Sequence, residues 1–266
     1  MRPDPTPIRT LHDPRVKAVR YGLGMSLVDG RRHFLVDDEI NIEMARDNEV
    51  NLLALYEAGS DRISDGLRAK LPEALPIYQM EVSVAKQLFK GDKLSRIFAV
   101  ADSERQEGLA ALPPSGKDLI VLEDLRIMGN VGAIIRSAVA FGAGAVVLLS
   151  TEPRLVYDRR LIRASRGHCF QLPVVAATAD ELLRYCAEHG YELVVTAMDG
   201  SHTVDQLAAL DRPVALVFGS EKSGASDALL DAQECRVSIP ISPKVESLNV
   251  SVAAGILLFA RAGSRQ

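Results

Sequence analysis

The chain has 266 residues, 47% of them hydrophobic, which is enough apolar content for one or two domains with real cores. Its formal net charge of -4 argues against a generic polyanion binder and leaves room only for local basic patches. No apolar run is long enough to span a bilayer, and the start lacks the basic-then-apolar layout of a secretory signal. The three cysteines, Cys169, Cys186 and Cys235, are widely spaced and form no C-x-x-C pair, so a reduced cytoplasmic protein with no metal and no membrane partner is expected.

In chain order, the proline-rich start "MRPDPTP" is expected to be disordered. From about residue 15 to 105 the pattern is mixed α/β. "RHFLVD" and "LLALYEAG" are short apolar segments, "LPIYQM" reads as a strand, and "SVAKQLF" reads as a helix opened by Ser83. "ADSERQEGLAALPPSGKD" then turns polar and Pro-Pro-containing, as a linker does. This puts the domain boundary between residues 108 and 109.

The remainder, 109–266, is more regular. "DLIVLED", "GAVVLLS", "QLPVVAA", "YELVVTA", "PVALVFG" and "CRVSIPI" are β-rich runs. Helical patterns fill most of the gaps, over Val131–Phe141, Asp158–Ala164, Ala179–His189, Ser226–Gln233 and Leu248–Ala260. Apolar strands alternating with helices imply an α/β domain whose parallel sheet is covered on both faces. Ligands of such sheets bind beyond the carboxyl ends of the strands, which directs attention to the loops after Leu122, Phe218 and Ile241.

The first loop leads into "NVGAIIR". Asn130 is expected to cap the helix, and Gly132 and Arg136, four apart, share a face. Arg136 either snorkels to solvent or meets an anion or ribose above that small-residue face. The second loop, "FGSEKSGAS", has the glycine spacing of a nucleotide P-loop in Gly219 and Gly224. Ala225 stands at the lysine position, however, so the phosphates would lack their main countercharge. What remains is a tight turn with exposed backbone groups and one acid, Glu221. In the third, Pro240 and Pro243 stiffen the exit from a strand, Ser247 is expected to cap the last helix, and Asn249 is a polar amide in an otherwise apolar first turn. Between these loops, "RLVYDRRLIRASRG" sets five arginines against the single Asp158; the patch is either phosphate-binding or surface decoration.

The three loops in this order resemble the motifs of the SpoU family of RNA ribose methyltransferases, within the knotted SPOUT class: Asn130-x-Gly132-x-x-x-Arg136, Gly219-Ser220-Glu221, and Ile239-Pro240 followed by Ser247-Leu248-Asn249-Val250-Ser251. "QLFKGDKLSRIFAVA", "YDRRLIRASRG" and "VFGSEKSG" further resemble the thiostrepton- and nosiheptide-resistance enzymes, which methylate an adenosine ribose in the GTPase-associated loop of 23S rRNA. The resemblance implies a knotted domain binding S-adenosylmethionine, a smaller ribosomal-protein-like α/β RNA-binding domain before it, a homodimer and thiopeptide resistance. It implies catalytic roles for Arg136, Asn130, Glu221, Asn249 and Ser247. It assigns the cofactor to Thr196, Gly219, Ser220, Glu221, Ile239, Leu248 and Arg166, and RNA phosphates to Arg159, Arg160, Arg163 and Arg166. Other readings are methylation of a different rRNA or tRNA nucleotide, a non-catalytic RNA binder of the same fold, or a nucleotide hydrolase, the last weakened by Ala225.

Overall fold

Two sheets organise the computed structural model, which describes residues 6–90, 92–104, 108–125, 127–220, 224–233 and 235–263. Contacts divide the chain into two units, one of 1–105 with 157–170, the other of 106–156 with 171–266. The expected boundary near residue 108 thus describes only the first crossing of the chain. A segment from the middle of the supposed second domain belongs to the first. Met1–Pro5, within the stretch expected to be disordered, lie outside the described residues.

The first unit is built on β1 (Leu27–Val28), β2 (Arg31–Asp37), β3 (Asn51–Ala58), β4 (Ile77–Met80) and β5 (Ile97–Ser103), in the order β1-β2-β5-β3-β4. Its helices include α1 (Val16–Leu23), α2 (Glu39–Asp47), α3 (Asp65–Lys70) and α4 (Val82–Phe89). α4 begins at Val82, with Glu81 rather than Ser83 at its cap position. β5 runs antiparallel to both β2 and β3 and is central to the sheet. Its last residues, Ala101–Ser103, were expected to open a linker. They form a strand because Asp102 is held by Arg31 at 2.8 Å and by the Asn51 amide at 2.9 Å, so a buried carboxylate keeps partners. One core of Ile8, Val16, Val19, Leu35, Tyr56, Met80, Val84, Phe89 and Phe98 lies between this sheet and its helices.

The second unit has six strands, all parallel: β6 (Leu119–Glu123), β7 (Ala145–Leu149), β8 (Val174–Ala177), β9 (Glu192–Thr196), β10 (Val214–Phe218) and β11 (Cys235–Val237). They follow the order β11-β9-β10-β6-β7-β8. Every strand expected after residue 109 is present. The helices are α5 (Met128–Ala140), α6 (Arg159–Ala164), α7 (Ala179–His189), α8 (Val204–Ala208), α9 (Asp227–Ala232) and α10 (Val250–Gly263), of which α6 belongs to the first unit. α7 has a full capping box between Thr178 and Glu181 and ends on Gly190 at φ 71°. Val121, Val147, Val195, Ala215 and Val217 point from the sheet into one core with Leu182, Tyr185 and Leu229, and Leu109 and Leu112 of the presumed linker join it. Among the described residues no helix is long and apolar enough to cross a membrane.

Candidate active site

The register of β9, β10 and β11 ends these strands side by side: Val195 opposite Val217, and Thr196 opposite Val237. Beyond those ends lies a cleft of about 690 Å³. Thr196, Ala197 and Met198 follow β9 into it; Phe218, Gly219, Ser220 and Gly224 follow β10; Ile239, Ile241, Ser247, Leu248 and Asn249 come from the loop after β11. Val250, Ala253 and Leu257 of α10 and Ile127 and Asn130 at the start of α5 complete the wall. Every lining residue belongs to the second unit.

The β10 loop is pinched shut by its backbone. Ser220 and Gly224 exchange N–H···O bonds of 2.9 Å in both directions. A Cβ on Gly219 would lie 2.3 Å from the Ala225 nitrogen and the Gly224 carbonyl carbon, so only glycine permits that approach. Gly224 is left-handed at φ 71°, and a Cβ there would meet nothing within 4 Å. Gly219, Ser220 and Gly224 thus bring closely packed backbone to the cleft wall.

The two asparagines act together, though not as expected. Asn130 does not cap α5: the helix starts at Met128, with Ile127 in the cap position and no capping side chain. The Asn249 Nδ2 instead donates to Asn130 Oδ1 at 3.2 Å. The cap role at α10 falls to Asn249 rather than Ser247. Its Oδ1 accepts from the Ser251 N–H at 2.9 Å and from the Ser251 hydroxyl at 2.6 Å, and its carbonyl accepts from Ala253 N–H at 3.0 Å. The first turns of α5 and α10 are thereby joined at the cleft.

Thr196, Gly219, Ser220, Ile239 and Leu248 were expected to hold the cofactor, and all five line this cleft with Asn130, Ser247 and Asn249. Its apolar walls and its backbone and amide polar groups fit a nucleoside-bearing ligand with an apolar body and a few polar edges. Arg136 is not on the wall. It is exposed, six residues beyond Asn130 on α5, with no ion-pair partner among the described residues. Arg166 belongs to the first unit and is also off the wall. Glu221 lies outside the described residues.

A model of the SpoU rRNA Methylase family matches residues 118–259, more than half of the chain and all of this cleft. The chain belongs to the SpoU family. A second model, the N terminus of thiostrepton-resistance methylases, matches residues 5–114. The 23S rRNA (adenosine(1067)-2'-O)-methyltransferase of Streptomyces laurentii is 40% identical over 198 residues, 74% of this chain and 73% of that protein. Its namesake from Streptomyces azureus is 38% identical, covering 70% of each. Among solved structures, an RNA 2'-O ribose methyltransferase superposes with a TM-score of 0.77 at 29% identity over 98% of this chain and 99% of the other. The SpoU methyltransferase AviRb of Streptomyces viridochromogenes, crystallised with AdoMet, shares the fold with a TM-score of 0.74 at 24% identity, over 96% of this chain and 95% of the other.

The arginines expected to bind RNA in this SpoU protein divide sharply. Arg159 is only 8% exposed. Its Nε donates to Asp37 Oδ2 at 2.8 Å, its Nη2 to the Lys93 carbonyl at 2.8 Å, and its guanidinium lies 4.3 Å from the Phe89 ring centre. Arg163 donates to the same Asp37 oxygen at 2.9 Å. Both are thus engaged by a buried carboxylate 122 and 126 positions away, a role the phosphate expectation did not include. Arg160 is mostly exposed but forks onto Asp158 at 2.6 Å. Burial pushes the Asp158 carboxyl up; the hydrogen bonds and charge of Arg160 outweigh it and hold the group below the usual carboxylate range. Arg166 is exposed with backbone φ 54° at the end of α6.

Sequence reasoning missed Ile127, Met198, Val237, Val250, Ala253 and Leu257 as wall residues. Met198 was within reach of it, because "VVTAMDG" leaves the carboxyl end of a buried strand. The other five look like ordinary core positions until the fold closes around them.

Proposed function

We propose that this protein transfers a methyl group from S-adenosylmethionine to the 2'-hydroxyl of an adenosine ribose in the GTPase-associated loop of 23S rRNA, and that the mark confers thiopeptide resistance. The observation that carries the reading is the joining of Asn130 and Asn249 at 3.2 Å on the wall of a cleft that also gathers Thr196, Gly219, Ser220, Ile239 and Leu248. The matching thiostrepton-resistance N terminus and the adenosine-directed Streptomyces relatives support the choice of RNA.

When bound, the cofactor supplies an electrophilic methyl on a sulfonium. The chain's task is to hold a sugar hydroxyl in line with it and favour loss of a poorly acidic proton. A guanidinium stays protonated, so Arg136 contributes charge: it holds the adjoining phosphate and stabilises developing alkoxide. Glu221 would orient Arg136 or accept the proton through water, and Asn130 and Asn249 would fix the ribose and the loop. Arg160 and Arg166 remain as candidates for RNA phosphate.

The working form in this reading is a homodimer in the reducing cytoplasm, with a knotted catalytic domain. Val252, Ile256 and Phe259 of α10 are exposed at 50%, 37% and 66%, and their i, i+4, i+7 spacing makes an apolar stripe suited to a second copy. Cys169, Cys186 and Cys235 are all buried and form no disulfide with one another. Primer extension on 23S rRNA from cells with and without the protein tests the reading. A stop at one adenosine is expected only when the protein is present; its absence, with normal cofactor binding, would move the target elsewhere.

A further inference from the structure

A second cavity, of about 270 Å³, lies at the carboxyl ends of β6 and β7, beside the cleft along the same sheet. The first turn of α5 stands between the two: Ile127 and Asn130 line the cleft, Met128 and Val131 line the smaller cavity. Its walls are mostly apolar, including Leu125, Met128, Leu148 and Leu155. Two polar side chains interrupt them. β6 and β7 pair Glu123 with Leu149, and the next residues along the two strands, Asp124 and Ser150, both line the cavity.

Each is held in a defined local geometry. Asp124 is left-handed at φ 49°, a conformation aspartate adopts more readily than most residues. The Ser150 Oγ accepts from the Glu152 N–H at 3.0 Å, which leaves the hydroxyl hydrogen to donate. A carboxylate acceptor and a hydroxyl donor thus line an otherwise apolar slot. Adenine is complementary to this pair, since its 6-amino donor sits next to a ring-nitrogen acceptor on a flat apolar body.

We infer that this cavity receives the base of the target nucleotide, with Asp124 accepting from the exocyclic amine and Ser150 donating to the neighbouring ring nitrogen. The inference rests on the ribose-methylation reading. A ribose held at Asn130 would send its base over the first turn of α5 into the slot. This is how enzymes acting on a nucleotide read one drawn out of its stack: apolar faces and hydrogen bonds to the edge.

The test compares methyl transfer to two synthetic RNA stem-loops bearing the target as adenosine or as purine riboside, which lacks the 6-amino group. Wild type should lose roughly ten- to a hundredfold in kcat/KM on purine riboside, the scale of a hydrogen bond to a charged group. Asp124→Gly removes the carboxylate at a left-handed position that glycine tolerates. It should lose as much on adenosine and nothing more on purine riboside. Leu155→Trp should fill the slot and depress kcat/KM on both RNAs, with cofactor affinity by calorimetry and melting temperature kept. Unchanged kcat/KM in both variants, or undiminished discrimination in Asp124→Gly, overturns the base pocket while leaving the methyltransferase intact. Failure of wild type to methylate either RNA overturns the activity itself, and the pocket with it.

Discussion

The Arg261 guanidinium, near the end of α10, lies fork to fork on the carboxylate of Asp118, just before β6: Nε to Oδ2 at 2.8 Å and Nη2 to Oδ1 at 2.9 Å. Its remaining donors reach the carbonyls of Leu207, Leu210 and Arg212 at 2.7–3.1 Å. Asp118 Oδ1 also accepts from Val214 N–H at 2.9 Å, ahead of β10. One arginine thus ties the last helix to the amino ends of two central strands, at the far end of the sheet from the cleft. Arg261→Met should cost about 3–5 kcal/mol by leaving a buried carboxylate without its cation. Urea unfolding checks this; a loss under about 1 kcal/mol would mean the pair is dispensable.

Gly219→Ala should abolish productive cofactor binding without unfolding the protein. The new methyl would sit against main-chain atoms at 2.3 Å, so the Ser220–Gly224 bridge must open. A fall in cofactor affinity of tenfold or more by calorimetry is expected, with a near-wild-type far-ultraviolet spectrum. Full affinity would show that the loop accommodates the carbon.

Arg136→Ala should remove methyl transfer while cofactor affinity persists, because Arg136 stands off the cleft wall. Single-turnover assays beside calorimetry separate the two. Turnover near that of wild type would remove Arg136 from the chemistry.

Asp158 gives a pH prediction. It caps α6, accepting from Arg160 N–H at 2.7 Å, and its carboxyl is held below the usual range. A depressed folded-state value stabilises the fold above the unfolded carboxylate range, near pH 4, and the benefit fades as pH falls through the folded value. Asp158→Asn keeps a capping oxygen and removes the charge. Wild type should therefore melt higher than Asp158→Asn at pH 7, and the gap should narrow as pH falls from the unfolded carboxylate range through the lower folded value. A gap independent of pH would mean that packing, not charge, is at work.

The arginines should separate in salt titrations of RNA affinity. Arg166→Ala should lower the slope of log affinity against log salt by about one and leave the melting temperature alone. Arg159→Ala should leave the slope alone and destabilise the first unit, since Asp37 keeps only Arg163 of its two cations. The reverse pattern would return Arg159 to the RNA face.

Much of the second unit could be read from its sequence because local signals agreed. α7 was bounded correctly at both ends, with Thr178 and Glu181 supplying its capping box and Gly190 its left-handed stop. The loops after Phe218 and around Ile241 stood out by their glycines and prolines, whereas Thr196, Ile239 and Leu248 were marked only by the resemblance to the SpoU family. Partnerships across the chain were not legible. Asn130 looked like a cap because its partner Asn249 lies 119 residues on. Arg159 looked like a phosphate ligand because nothing nearby in sequence announces Asp37. β5 was missed because Asp102 breaks its apolar run, and the groups that satisfy it, Arg31 and Asn51, come from strands far earlier.

The embedding of Tyr157–Phe170 in the first unit has a consequence for any attempt to replace that unit. Grafting a foreign leading module onto this methyltransferase by a single splice near residue 110 would strand Asp37's counter-ions in the wrong protein. A working chimaera needs a second graft, the α6 segment, so recombination in nature or in the laboratory must transplant two discontinuous pieces as one cassette.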